Sequence, residues 1–230
     1  MKKIINLCFF AFIYISLAGC NLESYSQIKL SQLLDKQNKI NSIIKVEVSK
    51  CQDDNNNPSS DLLQANETVS ELFEDAKLME CKDKGLNTFA LYNVPITVGD
   101  ISKDKATAKG ISIIKDKDDY VNFMLSEEAR NYLKKSEDMD LVAYIKFTND
   151  SNNNIKIYPH AVYVDKIPYA DLTPYQKSLE IESNKTIKIE LSDVSCSFVI
   201  EHGYAPLYKL EYDNKDNCSK SQSKSQKQKN

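Results

Sequence analysis

The chain has no tryptophan, only two histidines, and few glycines and prolines, and each shortage narrows the functional field. It contains no Gly-rich phosphate loop, no H-E-x-x-H and no G-x-S-x-G, so the usual nucleotide-binding, zinc-protease and serine-hydrolase patterns are missing. Cysteine-based metal binding is disfavoured because no C-x-x-C occurs and neither His160 nor His202 lies near a cysteine in sequence. No catalytic residue and no metal ligand is therefore assigned. Wholesale disorder is excluded in turn, since apolar residues make up 41% of the chain, enough to build a core.

What is present begins with an export signal. Met1-Lys2-Lys3 supplies a positive start, Ile4 to Ile15 is apolar apart from Asn6, and Leu17-Ala18-Gly19-Cys20 closes the segment as a lipobox. That apolar run falls short of the roughly 20 residues a membrane-spanning helix needs. The pattern predicts a signal peptide over 1–19, cleavage before Cys20, acylation of Cys20, and no cofactor beyond that covalent lipid. A lipid-anchored spacer is expected over 20–27, one globular domain over 28–213 and a disordered tail over 214–230. Two or more acyl chains hold a protein firmly, because each buried CH₂ contributes about 0.8 kcal/mol. Asn21 is not the aspartate that tends to retain enteric lipoproteins at the inner membrane. In a two-membrane cell the expected location is the outer membrane, facing the periplasm.

Charge divides the mature chain. Lys215, Lys220, Lys224, Lys227 and Lys229 against Asp216 make the tail basic, whereas residues 20–213 carry a formal charge of −9. An exported acidic body does not suit nucleic acid. The tail reads as solubilising, or alternatively as a tether for anionic lipid or cell-wall polymer. Among the cysteines, Cys8 leaves with the signal and Cys20 takes the lipid. Cys51, Cys81, Cys196 and Cys218 then face an oxidising compartment, where three pairings are open. Cys51 with Cys81 is favoured, because the two closely bracket one amphipathic helix.

Periodicity predicts strands at 40–48, 88–98, 106–114, 120–125, 139–148 and 155–164, an alternating segment over 178–191, and a last strand at 205–212. Residues 28–34 fit a short strand or a helical turn. Helices are expected from a capping box at Asp61 and Gln64 to near Cys81, over 127–135 behind Ser126, and from Ser192 to Gly203. Strands 120–125 and 106–114 should pair across Lys115–Asp119, and 139–148 should pair with 155–164. The expected fold is α+β, a mostly antiparallel sheet of about seven strands with about three helices; a β-sandwich with helical additions is the alternative. Asp53 to Pro58 reads as a turn, since Pro58 and Gln64 stand where a calcium loop needs Gly and Glu.

Tyrosine is the enriched residue with a binding implication. Tyr158, Tyr163, Tyr169 and Tyr175 are interleaved with Lys156, His160 and Lys166, and a ring with a polar tip suits protein interfaces and sugar surfaces. Half-buried strands use the same residues. His160 is expected in a strand, facing solvent or the sheet rim, and His202 at a helix C-terminus, both structural places.

The lipobox, Cys51, Cys81-x-x-Lys84-Gly85, Val94-Pro95-Ile96, Val121-Asn122-Phe123-Met124-Leu125, and Leu191-Ser192-Asp193-Val194 with Glu201-His202-Gly203 resemble an uncharacterised family of bacterial and prophage-associated lipoproteins. The resemblance implies a lipidated periplasmic domain of unknown function and supplies no catalytic residue. Together with the residues, it points to a non-enzymatic envelope binding or accessory protein, held to the membrane by lipid. Its partner would be an envelope protein or a phage receptor. An envelope hydrolase of unfamiliar type is the alternative.

Overall fold

A computed structural model describes residues 21–84, 87–103, 109–136, 139–170 and 177–212. The export signal, Cys20, Gly85, Tyr175 and the tail with Cys218 lie outside the described residues. In chain order the elements are β1 (Asn21–Lys29), α1 (Leu30–Leu33), β2 (Asn38–Val48), α2 (Ser60–Leu72), β3 (Lys77–Lys84), β4 (Asn87–Asp100), β5 (Ile111–Lys115), β6 (Tyr120–Leu125), α3 (Glu127–Lys135), β7 (Asp140–Thr148), β8 (Ile155–Pro159), β9 (Val162–Val164), β10 (Ile167–Tyr169), β11 (Leu179–Ile181), β12 (Thr186–Leu191), α4 (Asp193–His202) and β13 (Tyr204–Glu211).

The described fold is mostly β. Thirteen strands make one curled half-barrel sheet with four helices, which corrects both the expected α+β domain of about seven strands and its β-sandwich alternative. The order is β10-β9-β12-β7-β1-β2-β4-β5-β6-β13-β8-β11, with β3 beside β4. Two pairings, β1 with β7 and β4 with β5, are parallel.

The expected spacer over 20–27 is corrected by β1, which starts at Asn21 between β2 and β7. Its polarity concealed it. Ser24 and Ser26 take inward positions where Val or Ile would have announced a strand, and Ser26 Oγ lies 2.9 Å from Ser42 Oγ on β2. The expected helix to Cys81 ends instead at Leu72: Ser59, not Asp61, caps α2 by accepting from Leu62 N–H, and Phe73 is already extended. Cys81 therefore sits on strand β3. The disulfide joins it to Cys51, closing a sequence separation of 30.

The expected hairpin of 139–148 with 155–164 does not form. β7 pairs with β1 and β12, while β8 pairs with β13 and β11. Residues 155–164 break at His160-Ala161, where Ala161 has φ 47°. Ile155, Ile157 and Pro159 face inward before the break and Val162 and Val164 after it, so the inward parity shifts by one. Ser192 and Ser195 at the start of α4 both donate to the Ala161 carbonyl and hold the bend. Because β8 and β9 lie near opposite limits of the strand order, this bend carries the chain across the mouth of the curl.

A proline is ordinarily confined to an edge strand or a break, yet Pro95 lies inside β4. β3 flanks β4 through Asn93 and β5 takes over from Thr97, so Pro95, lacking an N–H, falls in the gap between two partners. The core fills the concave side. Ile44, Val94, Ile145, Phe147, Leu207 and Tyr208 pack there with Leu62, Val69 and Val199 of α2 and α4, and the Phe147 and Tyr208 rings meet at 5.4 Å across the curl. Helices cover the inner face, which leaves the outer face of β4, β2, β1, β7 and β12 for function. No helix among the described residues is long and apolar enough to cross a membrane.

Candidate functional site

A cavity of about 620 Å³ runs across the outer face from Lys82 on β3 to Tyr163 and Lys166 at the β9–β10 hairpin. Strand parity and register build it. Odd-numbered residues of β1 and β2 and even-numbered residues of β7 and β12 point outward, and register aligns Glu190, Tyr144, Tyr25 and Ile43 in one row across four strands. Tyr163 extends that row by pairing with Glu190. Leu91 and Phe89 on β4 complete an apolar floor. The next row holds Lys188, Lys146 and Gln27.

Tyr25 and Tyr144 stack with ring centroids 4.9 Å apart and planes 17° from parallel. The Tyr25 hydroxyl donates to Glu23, which also pairs with Lys45, and Lys45 Nζ lies 3.6 Å from the centre of the Phe89 ring. Burial, reinforced by Glu23, holds the Tyr25 phenol above its ordinary pKa; burial with Glu190 and Glu23 does the same for Tyr144. Both rings stay neutral at physiological pH. On the other flank, Asp165 and Lys166 form a two-residue turn with φ 47° and 70°, and Asp165 accepts the Lys188 backbone N–H.

The expected tyrosine cluster is only partly assembled. Tyr163 lines the cavity, but Tyr158 lies on β8 with its hydroxyl 2.6 Å from Glu211, and Tyr169 packs against the core. Tyr175 lies outside the described residues. The residues that sequence reasoning missed are Tyr25, Tyr144, Lys146 and Lys188. Tyr144 and Lys146 stand at outward positions of a strand that was legible, whereas Tyr25 was assigned to a spacer.

The histidines stand apart from this cavity. His160 occupies the β8–β9 bend with its ring 5.4 Å from Tyr120, and burial followed by the Lys209 charge lowers its pKa. His202 closes α4 with its ring 4.3 Å from Phe198. Cys196 is a buried free thiol, pushed up to about 12 by burial and by neighbouring acids. Among the described residues no group of three or more His, Cys, Asp or Glu is placed to hold a metal ion. In the 53–57 turn, Asp53 Oδ1 accepts from the N–H groups of Asn55 and Asn57.

Fold and cavity together define a mostly-β, curled-sheet domain with an aromatic, lysine-rimmed groove on its outer face. The chain belongs to a family described as a domain of unknown function, DUF7424, matched over residues 22–214. That match begins within β1. No curated protein and no solved structure matches the chain.

Proposed function

We propose that this is a lipid-anchored, non-enzymatic binding protein of a bacterial envelope, of a kind that prophages also encode, and that the outer-face groove is its docking surface. The observation that carries this reading is the partly exposed Tyr25–Tyr144 stack beside Lys146, Lys166 and Lys188, three groove lysines with no ion-pair partner among the described residues. Concave, mainly apolar sites with a few polar groups are the usual form of a ligand site. The lipobox ending at Cys20 supports the anchor, and β1 starting at Asn21 brings the sheet directly to the acylated residue. Such a domain meets its ligand at high effective concentration near the bilayer.

Labelled fatty acid should enter the protein, and Cys20→Ser should abolish both the label and tight membrane association. A photoreactive residue at position 144 should form an adduct in envelopes, and one at Tyr204 should not. Full membrane retention of Cys20→Ser would remove the anchor from the account. Adducts at 204 alone would move the docking surface away from the groove.

A further inference from the structure

The two flanks of the groove differ in kind. On β4, β2 and β1 the charged groups engage one another: Glu23 engages both the Tyr25 hydroxyl and Lys45, and Lys45 in turn covers Phe89. What remains exposed toward a ligand there is ring and aliphatic surface, from Tyr144 through Tyr25 and Ile43 to Leu91. Across four strands spaced about 4.8 Å apart, that floor is about 14 Å long.

The opposite flank is cationic. Lys146 and Lys188 stand directly opposite each other on the antiparallel β7–β12 pair, and Lys166 projects from the adjoining turn. Like charges facing across strands are destabilising, and among the described residues none of the three lysines has a side-chain ion pair. Asp165 in the adjoining turn accepts the Lys188 backbone N–H, and Glu190 stands two residues from Lys188 on the same face of β12. The cavity lining holds five lysines against Asp165 and Glu190 in a body that is acidic as a whole.

The floor's own row ends at Glu190, and the self-repelling Lys146–Lys188 pair stands in the row beside it, so the groove sets a long apolar surface next to a net positive end, the polarity of an anionic amphiphile. A free sugar could stack on Tyr144 and Tyr25 but would leave the aliphatic end of the floor, Ile43 and Leu91, unmatched. We infer that the groove binds an anionic amphiphile, its acyl chain lying on Tyr144, Tyr25, Ile43 and Leu91 and its carboxylate or phosphate headgroup seated between Lys146, Lys188 and Lys166. The inference rests on the binding reading above and names the ligand of that same site.

The test titrates the full-length Cys20→Ser chain, read by tyrosine fluorescence, which the absence of tryptophan leaves unmasked. Dodecanoate and dodecyl phosphate supply the two headgroups on one tail; inorganic phosphate supplies charge alone and dodecyl maltoside a tail without charge. Both anionic amphiphiles should bind at least about tenfold more tightly than either control. Lys146→Glu should weaken them by about tenfold or more while raising the melting temperature, because it turns a like-charge pair into an opposite one. Tyr144→Ala should weaken binding similarly, and Lys39→Glu, outside the groove, should not. Equal binding of dodecyl maltoside, or amphiphile binding indifferent to Lys146→Glu, would overturn the inference. Should no amphiphile bind while position 144 still crosslinks a protein in envelopes, the ligand class fails and the docking surface stands. Failure of both would end both readings.

Discussion

At the scale of single residues, conformation and proton affinity make opposite demands on side chains. A Cβ at Gly99 would lie 2.6 Å from Gln37 Cα and 2.8 Å from Gln37 N, both backbone atoms that cannot swing away. At Gly203, which ends α4 with φ 87°, the nearest atom would be a guanidinium nitrogen at the far end of the Arg130 side chain, at 3.4 Å. Gly203→Ala should therefore cost only the left-handed penalty of about 1 to 2 kcal/mol, and Gly99→Ala clearly more, as measured by urea unfolding. His160 supplies a pH dependence. Its folded pKa lies below the unfolded value of about 6.5, so the unfolded chain binds the extra proton first. Stability is complete above that value and falls as pH drops through it toward the folded pKa. Denaturation midpoints of the wild type should decline below about pH 6.5, and His160→Asn should flatten that part of the curve.

Among the elements, legibility followed how local the signal was. β6, α3 and α4 were legible because their boundaries are set by neighbours in sequence: Ser126 and Ser192 cap through N–H groups three residues on, and Gly203 closes the last helix. The sheet was not, since partners such as Asn21 and Asp140 are far apart in sequence and three-residue strands carry no measurable period. Lys115 shows the same limit. It reads as part of a charged turn, yet at the parallel end of β4 and β5 it is buried at 5% side-chain exposure against Asp100 at 7%, with Asp119 also in contact. Burial alone would raise the Asp100 pKa and lower that of Lys115; hydrogen bonds from Ser102 and the ion pairs reverse both shifts, so the pair stays charged. Lys115→Met, which leaves Asp100 buried without its cation, should cost about 3 to 5 kcal/mol. Cys51→Ser should cost about 3 to 4 kcal/mol in the chain-entropy account of the closed loop. Both are checked by denaturant titration under non-reducing conditions.

For the whole molecule, the direct entry of the chain into β1 sets an orientation. With Cys20 acylated, the sheet end bearing Asn21 and its neighbour Asp140 faces the bilayer, and the end bearing Lys29, Thr148 and Thr186 lies about 27 Å away along nine residues. In a Cys218→Ser background, a fluorophore at Asp140→Cys should be quenched by headgroup nitroxides, and one at Thr186→Cys much less. The groove opens on the outer sheet face between these ends. Lysine acetylation of intact envelopes, compared with the purified Cys20→Ser chain, tests its occupancy most directly. Lys146, Lys166 and Lys188 should be protected in envelopes while exposed Lys39 and Lys209 react equally in both samples. Groove lysines that react in envelopes as fully as in the purified chain would contradict that occupancy.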